Sequence, residues 1–139
     1  MAAEVNYTIL LAPVTKKNSQ QILVNKKNGR PFIMPSAKYK QYEREAAHYL
    51  EPVPPRPIDC RLNVKCLFYM PTRRAVDLNN LLEAVTDLLV HCRIIEDDNS
   101  RIVVAHDGSR VYYDKDNPRT EIYITRLQDE PEQIGMEGF

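Results

Sequence analysis

Arg61–His91 reads RLNVKCLFYMPTRRAVDLNNLLEAVTDLLVH, and its apolar period changes midway. Leu62, Val64, Cys66, Phe68 and Met70 recur at every second position, which puts them on one face of a strand over Arg61–Met70. From Leu78 the period lengthens. At about 100° per residue, Leu78, Leu81, Leu82, Val85, Leu88 and Leu89 gather on one side of a helix that runs to about His91. Asp77 is a good N-cap for that helix, and Pro71–Val76 is the loop that leads into it.

The flanking sequence extends the pattern. Val5–Leu11 is apolar and ends at Pro13, a first strand. Ile22–Asn25 and Pro31–Met34 flank Lys26–Arg30 (KKNGR), whose Asn28-Gly29 is a hairpin signal. Pro35-Ser36 opens a helix with Ser36 as cap, carried by Tyr39, Tyr42, Ala46, Tyr49 and Leu50. Four prolines between Pro52 and Pro57 make Glu51–Pro57 a stiff connector. Ile102–Ala105, Ser109–Tyr113 and Thr120–Leu127 read as strands, separated by turns at Glu96–Ser100 and Asp114–Arg119. Two helices and five to seven strands predict an α+β fold with a mixed or antiparallel sheet. A single domain is expected over residues 1–127, with an acidic, frayed tail over 128–139.

The 139 residues carry 43% apolar and 27% charged side chains, an ordinary globular composition. No apolar run reaches the length of a membrane span, and the N-terminal segment lacks the basic start of a signal peptide. Cys60, Cys66 and Cys92 show no metal-binding spacing and are expected as reduced thiols, consistent with a cytoplasmic protein.

The net charge of zero hides an asymmetry. Met1–Arg74 holds 13 Lys/Arg against 5 Asp/Glu, and Ala75–Phe139 holds 6 against 14. A basic half attracts a polyanion and an acidic half can hold divalent cations; equally, the halves can neutralise one another in the fold. Candidate phosphate contacts are Lys16, Lys17, Asn18, Ser19, Lys26, Lys27, Arg30, Lys38, Lys40, Arg73 and Arg74.

The helix after Asp77 has a second, polar ridge. Asn80, Glu83 and Asp87 recur at spacings of three and four with no Lys or Arg at i+4, so they are not laid out as surface ion pairs. Asp97-Asp98 follows in a turn that is able to fold back towards the helix. Solvated carboxylates explain such a ridge as readily as a site does. Crowded carboxylates, however, repel one another unless a cation or a proton neutralises them, and hard oxygen donors suit Mg²⁺ or Mn²⁺. Such ions serve phosphodiester hydrolysis.

Asp77-Leu78-Asn79-Asn80, Asp87-Leu88-Leu89 and Asp97-Asp98-Asn99-Ser100-Arg101-Ile102 together resemble the RusA family of endodeoxyribonucleases, the Holliday junction resolvases of bacteria and their phages. No gap is needed between Asp77 and Asp98. Pro13–Ser19 (PVTKKNS), Asp107–Arg110 (DGSR) and Asn117–Ile124 (NPRTEIYI) extend the resemblance over residues 7–127. It implies a homodimer of small α/β subunits that cuts branched DNA, such as a four-way junction, with Mg²⁺ (or Mn²⁺). It also implies a cytoplasmic, bacterial or phage-encoded protein.

The family's metal-binding acids fall on Asp77 and Asp98, with Asp87 and Asp97 as motif neighbours. Its second motif Asp falls on Asn79, which ligates only through a neutral carbonyl oxygen, and a catalytic Lys falls on Glu83. Glu83 is therefore expected to replace the missing acid. The expected catalytic set is Asp77, Glu83, Asp87 and Asp98; the metal set adds Asn79 and Asp97. The alternatives are a protein that binds junctions but cuts them weakly, and an interaction module whose acids face water.

Overall fold

The computed structural model describes residues 4–15, 20–35 and 37–128. Ser36, expected to cap the first helix, lies outside the described residues. So do Lys16, Lys17, Asn18 and Ser19 of the basic set and residues 129–139 of the expected tail.

The chain runs β1 (Glu4–Ile9), β2 (Gln20–Val24), β3 (Pro31–Pro35), α1 (Ala37–Ala47), β4 (Leu62–Met70), α2 (Leu78–His91), β5 (Val103–Ala105), β6 (Arg110–Tyr113) and β7 (Arg119–Arg126). This is the expected α+β fold, and its sheet is mixed. β7 lies between β1 and β4 and is antiparallel to both. On the other edge of β4, β5 pairs in parallel with its beginning and β6 in parallel with its end. The parallel pairing of β4 with β5 needs a crossover, which α2 supplies.

Register explains the core. Val5, Ile124 and Val64 form one cross-strand row; Tyr7, Ile122 and Cys66 a second; Ile9, Thr120 and Phe68 a third. All except Val5 are buried, and Val5 packs at the margin. Leu81, Leu82, Val85, Leu88 and Leu89 of α2, with Ala46 and Leu50 at the end of α1, join these rows in one continuous cluster. The alternation in β4 and the helical period in α2 are thus two halves of one interface. Tyr39 is buried, and Tyr42 and Tyr49 are half-buried against the core. The connector after α1 is tied down where the Tyr7 hydroxyl donates to the Pro52 carbonyl at 2.8 Å; the Glu51-Pro52 bond is cis.

β2 and β3 form a separate two-stranded ribbon. Its turn is longer than the Asn28-Gly29 signal alone suggests. The Asn25 N–H donates to the Arg30 carbonyl at 2.9 Å, and the Gly29 N–H to the Asn25 carbonyl at 2.8 Å. Gly29 has a φ of 69°, where a side chain would strain the backbone. Lys26, Lys27 and Arg30 are exposed at this tip.

Candidate active site

Asp77 is the N-cap of α2. Its φ/ψ of −84°/113° is extended, and its Oδ1 accepts the Asn79 N–H at 2.8 Å and the Asn80 N–H at 3.3 Å. These bonds satisfy N–H groups that a helix start leaves without partners, and the helix dipole favours a negative charge there. Asp77 is exposed, and its carboxylate is held in place through Oδ1.

Arg73 and Arg74 precede it in an exposed loop. Cavities of about 400, 260 and 240 Å³ surround this loop. Among the described residues, their walls include Lys38, Arg73 and Arg74 and no carboxylate.

The far end of α2 is built differently. Cys92 is the C-cap and Arg93 has a φ of 62°. The Arg93 N–H donates to the Val90 carbonyl at 3.0 Å and the Ile94 N–H to the Leu89 carbonyl at 2.9 Å. This is a Schellman motif with an arginine where glycine is the usual residue. The reversed chain is then pinned: Ile58 donates to Ile94 and Glu96 donates to Ile58, each at 2.9 Å. Asp97 and Asp98 follow directly.

The next turn holds itself. Asp97 Oδ1 accepts the Asp98 N–H at 2.7 Å, and Asp97 Oδ2 accepts from Asn99 Nδ2 at 2.9 Å. The Asp98 N–H, together with the Asp98 and Asn99 side chains, holds the Asp97 carboxyl below the usual carboxylate range. Asp98 moves the opposite way. Its hydrogen bond with Asp97 is the main cause, then desolvation, then the charges of Asp97 and Asp87. Asp87, half-buried on α2, is therefore close enough to the turn to act on Asp98, and its charge also raises the Tyr39 phenol on α1, where burial is the main cause. Asp97 and Asp98 thus form an acidic station just beyond the C-terminal end of α2, the end on which Asp87 lies.

Asp77, Glu83, Asp87 and Asp98, the expected catalytic set, are spread along α2 and the turn beyond it. Along α2, Asp77 and Asp87 are separated by about 15 Å of helix. Asp77 follows the C-terminal end of β4, whereas the Asp97-Asp98 turn lies beside its beginning, where Ile95 bridges to Ile58. The nine residues of β4 span about 30 Å. Mg²⁺ draws its oxygens in to about 2.0–2.1 Å, so ligands of one ion must be neighbours. Among the described residues, no three His, Cys, Asp or Glu side chains are gathered to hold a metal.

Glu83 is exposed, and among the described residues no hydrogen bond or ion pair engages its carboxylate. Asn79 is exposed beside Asp77. The donors present nonetheless suit a hard cation. Asp97 and Asp98 are adjacent carboxylates, and Mg²⁺ is commonly held by one or two carboxylates together with water and substrate phosphate.

The aromatic residues near the Arg73-Arg74 loop were not singled out by the sequence reading. Tyr112 and Tyr113 of β6 are 45% and 39% exposed. Arg73 lies over the Tyr113 ring at 4.2 Å, and Tyr112 stacks on Tyr69 at 5.2 Å. The available signal was two adjacent aromatics on a short strand, which without the register reads equally well as core.

Among the described residues, no helix is long and apolar enough to cross a membrane. No curated protein matches the chain. A model of the endodeoxyribonuclease RusA family matches residues 11–125, a span that contains α1, β4, α2 and both acidic stations. The chain therefore belongs to the RusA family of endodeoxyribonucleases, whose members resolve Holliday junctions.

Proposed function

We propose that the protein is a divalent-metal-dependent, structure-selective endonuclease that hydrolyses phosphodiesters at four-way DNA junctions, and that it works as a homodimer with shared sites. The carrying observation is the separation of Asp77 from the Asp97-Asp98 station by the length of α2. Both ends carry family motif acids, yet one subunit does not bring them together. A twofold axis that sets α2 of one protomer against α2 of its partner places Asp77 of one chain beside the acidic station of the other, twice. A junction cut symmetrically needs two such sites.

In that arrangement Asp77, Asp87 and Asp98 would hold Mg²⁺ or Mn²⁺, with Asn79 and Asp97 adjoining. When bound, the ion supplies Lewis-acid polarisation of a phosphoryl oxygen and neutralises the leaving oxygen. The chain's own groups do the rest. The cap bonds from Asn79 and Asn80 fix the Asp77 carboxylate. The Asp97 bonds fix the turn that carries Asp98. Arg73 and Arg74, with Lys26, Lys27 and Arg30 on the ribbon, and Lys16, Lys17 and Asn18, would hold the phosphate backbone and orient the strand. Glu83 would act as a further acid only if the partner subunit brings it within reach of the ion.

Incubation with a synthetic four-way junction, with Mg²⁺ or with EDTA, tests this reading. Symmetric cuts only with Mg²⁺ support it. A gel shift without cutting points to a junction binder, and no binding at low salt sinks both readings. Because a ligand that binds only the folded state stabilises it, saturating Mg²⁺ at a hundred times Kd should add about 2.7 kcal/mol.

A further inference from the structure

We infer that β6 and the Arg73-Arg74 loop form a stacking platform for an unpaired nucleobase beside the cleavage site, a subsite that rests on the nuclease reading above. Tyr112 pairs in register with Tyr69, and Tyr113 with Met70, at the end of β4 that leads directly into Asp77. Tyr112 is held from behind, while Tyr113, on the opposite face of β6, carries Arg73 over its ring at 4.2 Å. Tyr69 stacks on Tyr112 at 5.2 Å with an interplanar angle of 25°, and Arg119 lies over Tyr69 at 3.7 Å. Arg119 is itself fixed by Glu121 at 2.8 Å and by Asp114 at 3.0 Å. Both tyrosines nevertheless remain more than a third exposed, and they line the same 260 Å³ cavity.

The charge around them selects the occupant. Among the described residues, the cavity wall carries Arg73 and Arg74 beside Tyr112 and Tyr113 and no acid. The adjoining cavities add Lys38 and, among the described residues, again no acid. Asp114, next in the chain, is committed to Arg119. Flat π-faces beside two guanidinium groups fit a base with its phosphate, and stacking of this kind tolerates any base. An apolar protein partner would need no such ring of cations. When the arms of a four-way junction open, the bases at the crossover lose a stacking neighbour, next to the phosphates to be cut.

The test compares (dT)₁₂ with an abasic chain of the same length, which keeps the phosphates and removes the bases. Fluorescence anisotropy in EDTA reads both affinities. Wild type should bind (dT)₁₂ more tightly than the abasic chain. Tyr112→Ala and Tyr113→Ala should each weaken (dT)₁₂ roughly 5- to 150-fold and leave the abasic chain unchanged. Tyr112→Phe and Tyr113→Phe should retain most of the difference and control for folding. Equal affinity of wild type for both chains overturns the platform, as does an equal loss on both in the Ala variants. A change of oligomeric state in the Ala variants would also overturn it and assign these rings to contact between copies. If wild type cuts junctions but shows no base preference, the platform falls and the nuclease reading stands; base preference without cutting has the reverse meaning.

Discussion

Asp97 Oδ1 accepts the Asp98 N–H at 2.7 Å in the turn beyond α2, while Asp77 caps the opposite end of the same helix. One helix thus carries two acidic stations of different construction. At its N-terminus a single carboxylate is stabilised by backbone N–H groups. Beyond its C-terminus Asp97 and Asp98 share one tight turn, in which the Asp97 carboxyl is held down and the Asp98 carboxyl is pushed up. Each arrangement leads to its own experiment.

Asp77 has a structural and a chemical role, and two substitutions separate them. Asn also caps helices, so Asp77→Asn should leave stability nearly unchanged; Asp77→Ala should cost about 1 kcal/mol. Both should abolish cleavage. Urea unfolding of the pair, alongside a junction assay, checks this; equal stability of the Ala and wild-type proteins would remove the capping role.

Asp98 should show the cost of crowding without metal. Its raised affinity for a proton means that its stabilising contribution is full below the ordinary carboxylate value of 3.8 and is lost as pH rises through its folded value. Asp97, lowered by its bonds from the Asp98 N–H, contributes with the opposite sign, above 3.8 and less as pH falls. Asp98→Asn keeps a polar partner for Asp97 and removes the charge. In EDTA its Tm should equal or exceed that of wild type at pH 7, with the gap closing towards pH 4, and its Tm should rise less with Mg²⁺. A lower Tm at pH 7 in EDTA would show that the charge is satisfied by groups other than a cation.

Arg93 occupies a left-handed backbone position that glycine adopts without strain. Arg93→Gly should therefore stabilise the protein by about 1 kcal/mol, or raise Tm by about 4 °C. Thermal unfolding reads it directly. Loss of stability instead would mean that the arginine side chain makes contacts that outweigh the backbone strain.

The legible part of this fold was what depends on neighbours in sequence. Alternation located β4 and β7, and the helical period located α2 with Asp77 as its cap. Pairing was not legible, because it joins distant segments: nothing in VVA or RVYY indicates that both lie parallel to β4 along one edge. The acid spacing from Asp77 to Asp98 matches a family pattern, yet the helix legible between them already separates Asp77 from Asp87 by about 15 Å, and how the two ends are completed is not written in one chain. Likewise the Schellman turn carries arginine rather than its usual glycine signal. The stack of Tyr112 on Tyr69 appears only once the register is known.

Cys66 should govern part of the alkaline limit of stability. Burial pushes its thiol from 9.0 up to about 12, and burial pushes Tyr42, beside Thr120, from 10.0 to about 12. The unfolded chain releases these protons first, so stability falls as pH rises from about 9 towards 12. Cys66→Val should remove up to about 1.4 kcal/mol per pH unit of that slope. Urea unfolding between pH 8 and 11 should show the two curves diverging; parallel curves would assign the loss elsewhere. At pH 8, alkylation should reach the half-buried Cys60 and Cys92 before Cys66.

The most direct measurement uses two inactive proteins. Asp77→Asn and Asp98→Asn, each alone, should fail to cut a four-way junction in Mg²⁺. Allowed to exchange subunits, they should form mixed dimers in which one shared site carries both substitutions and the other carries neither, so cutting should return. If dimers mix and the mixture stays inactive, each active site lies within a single chain and the shared-site arrangement is wrong.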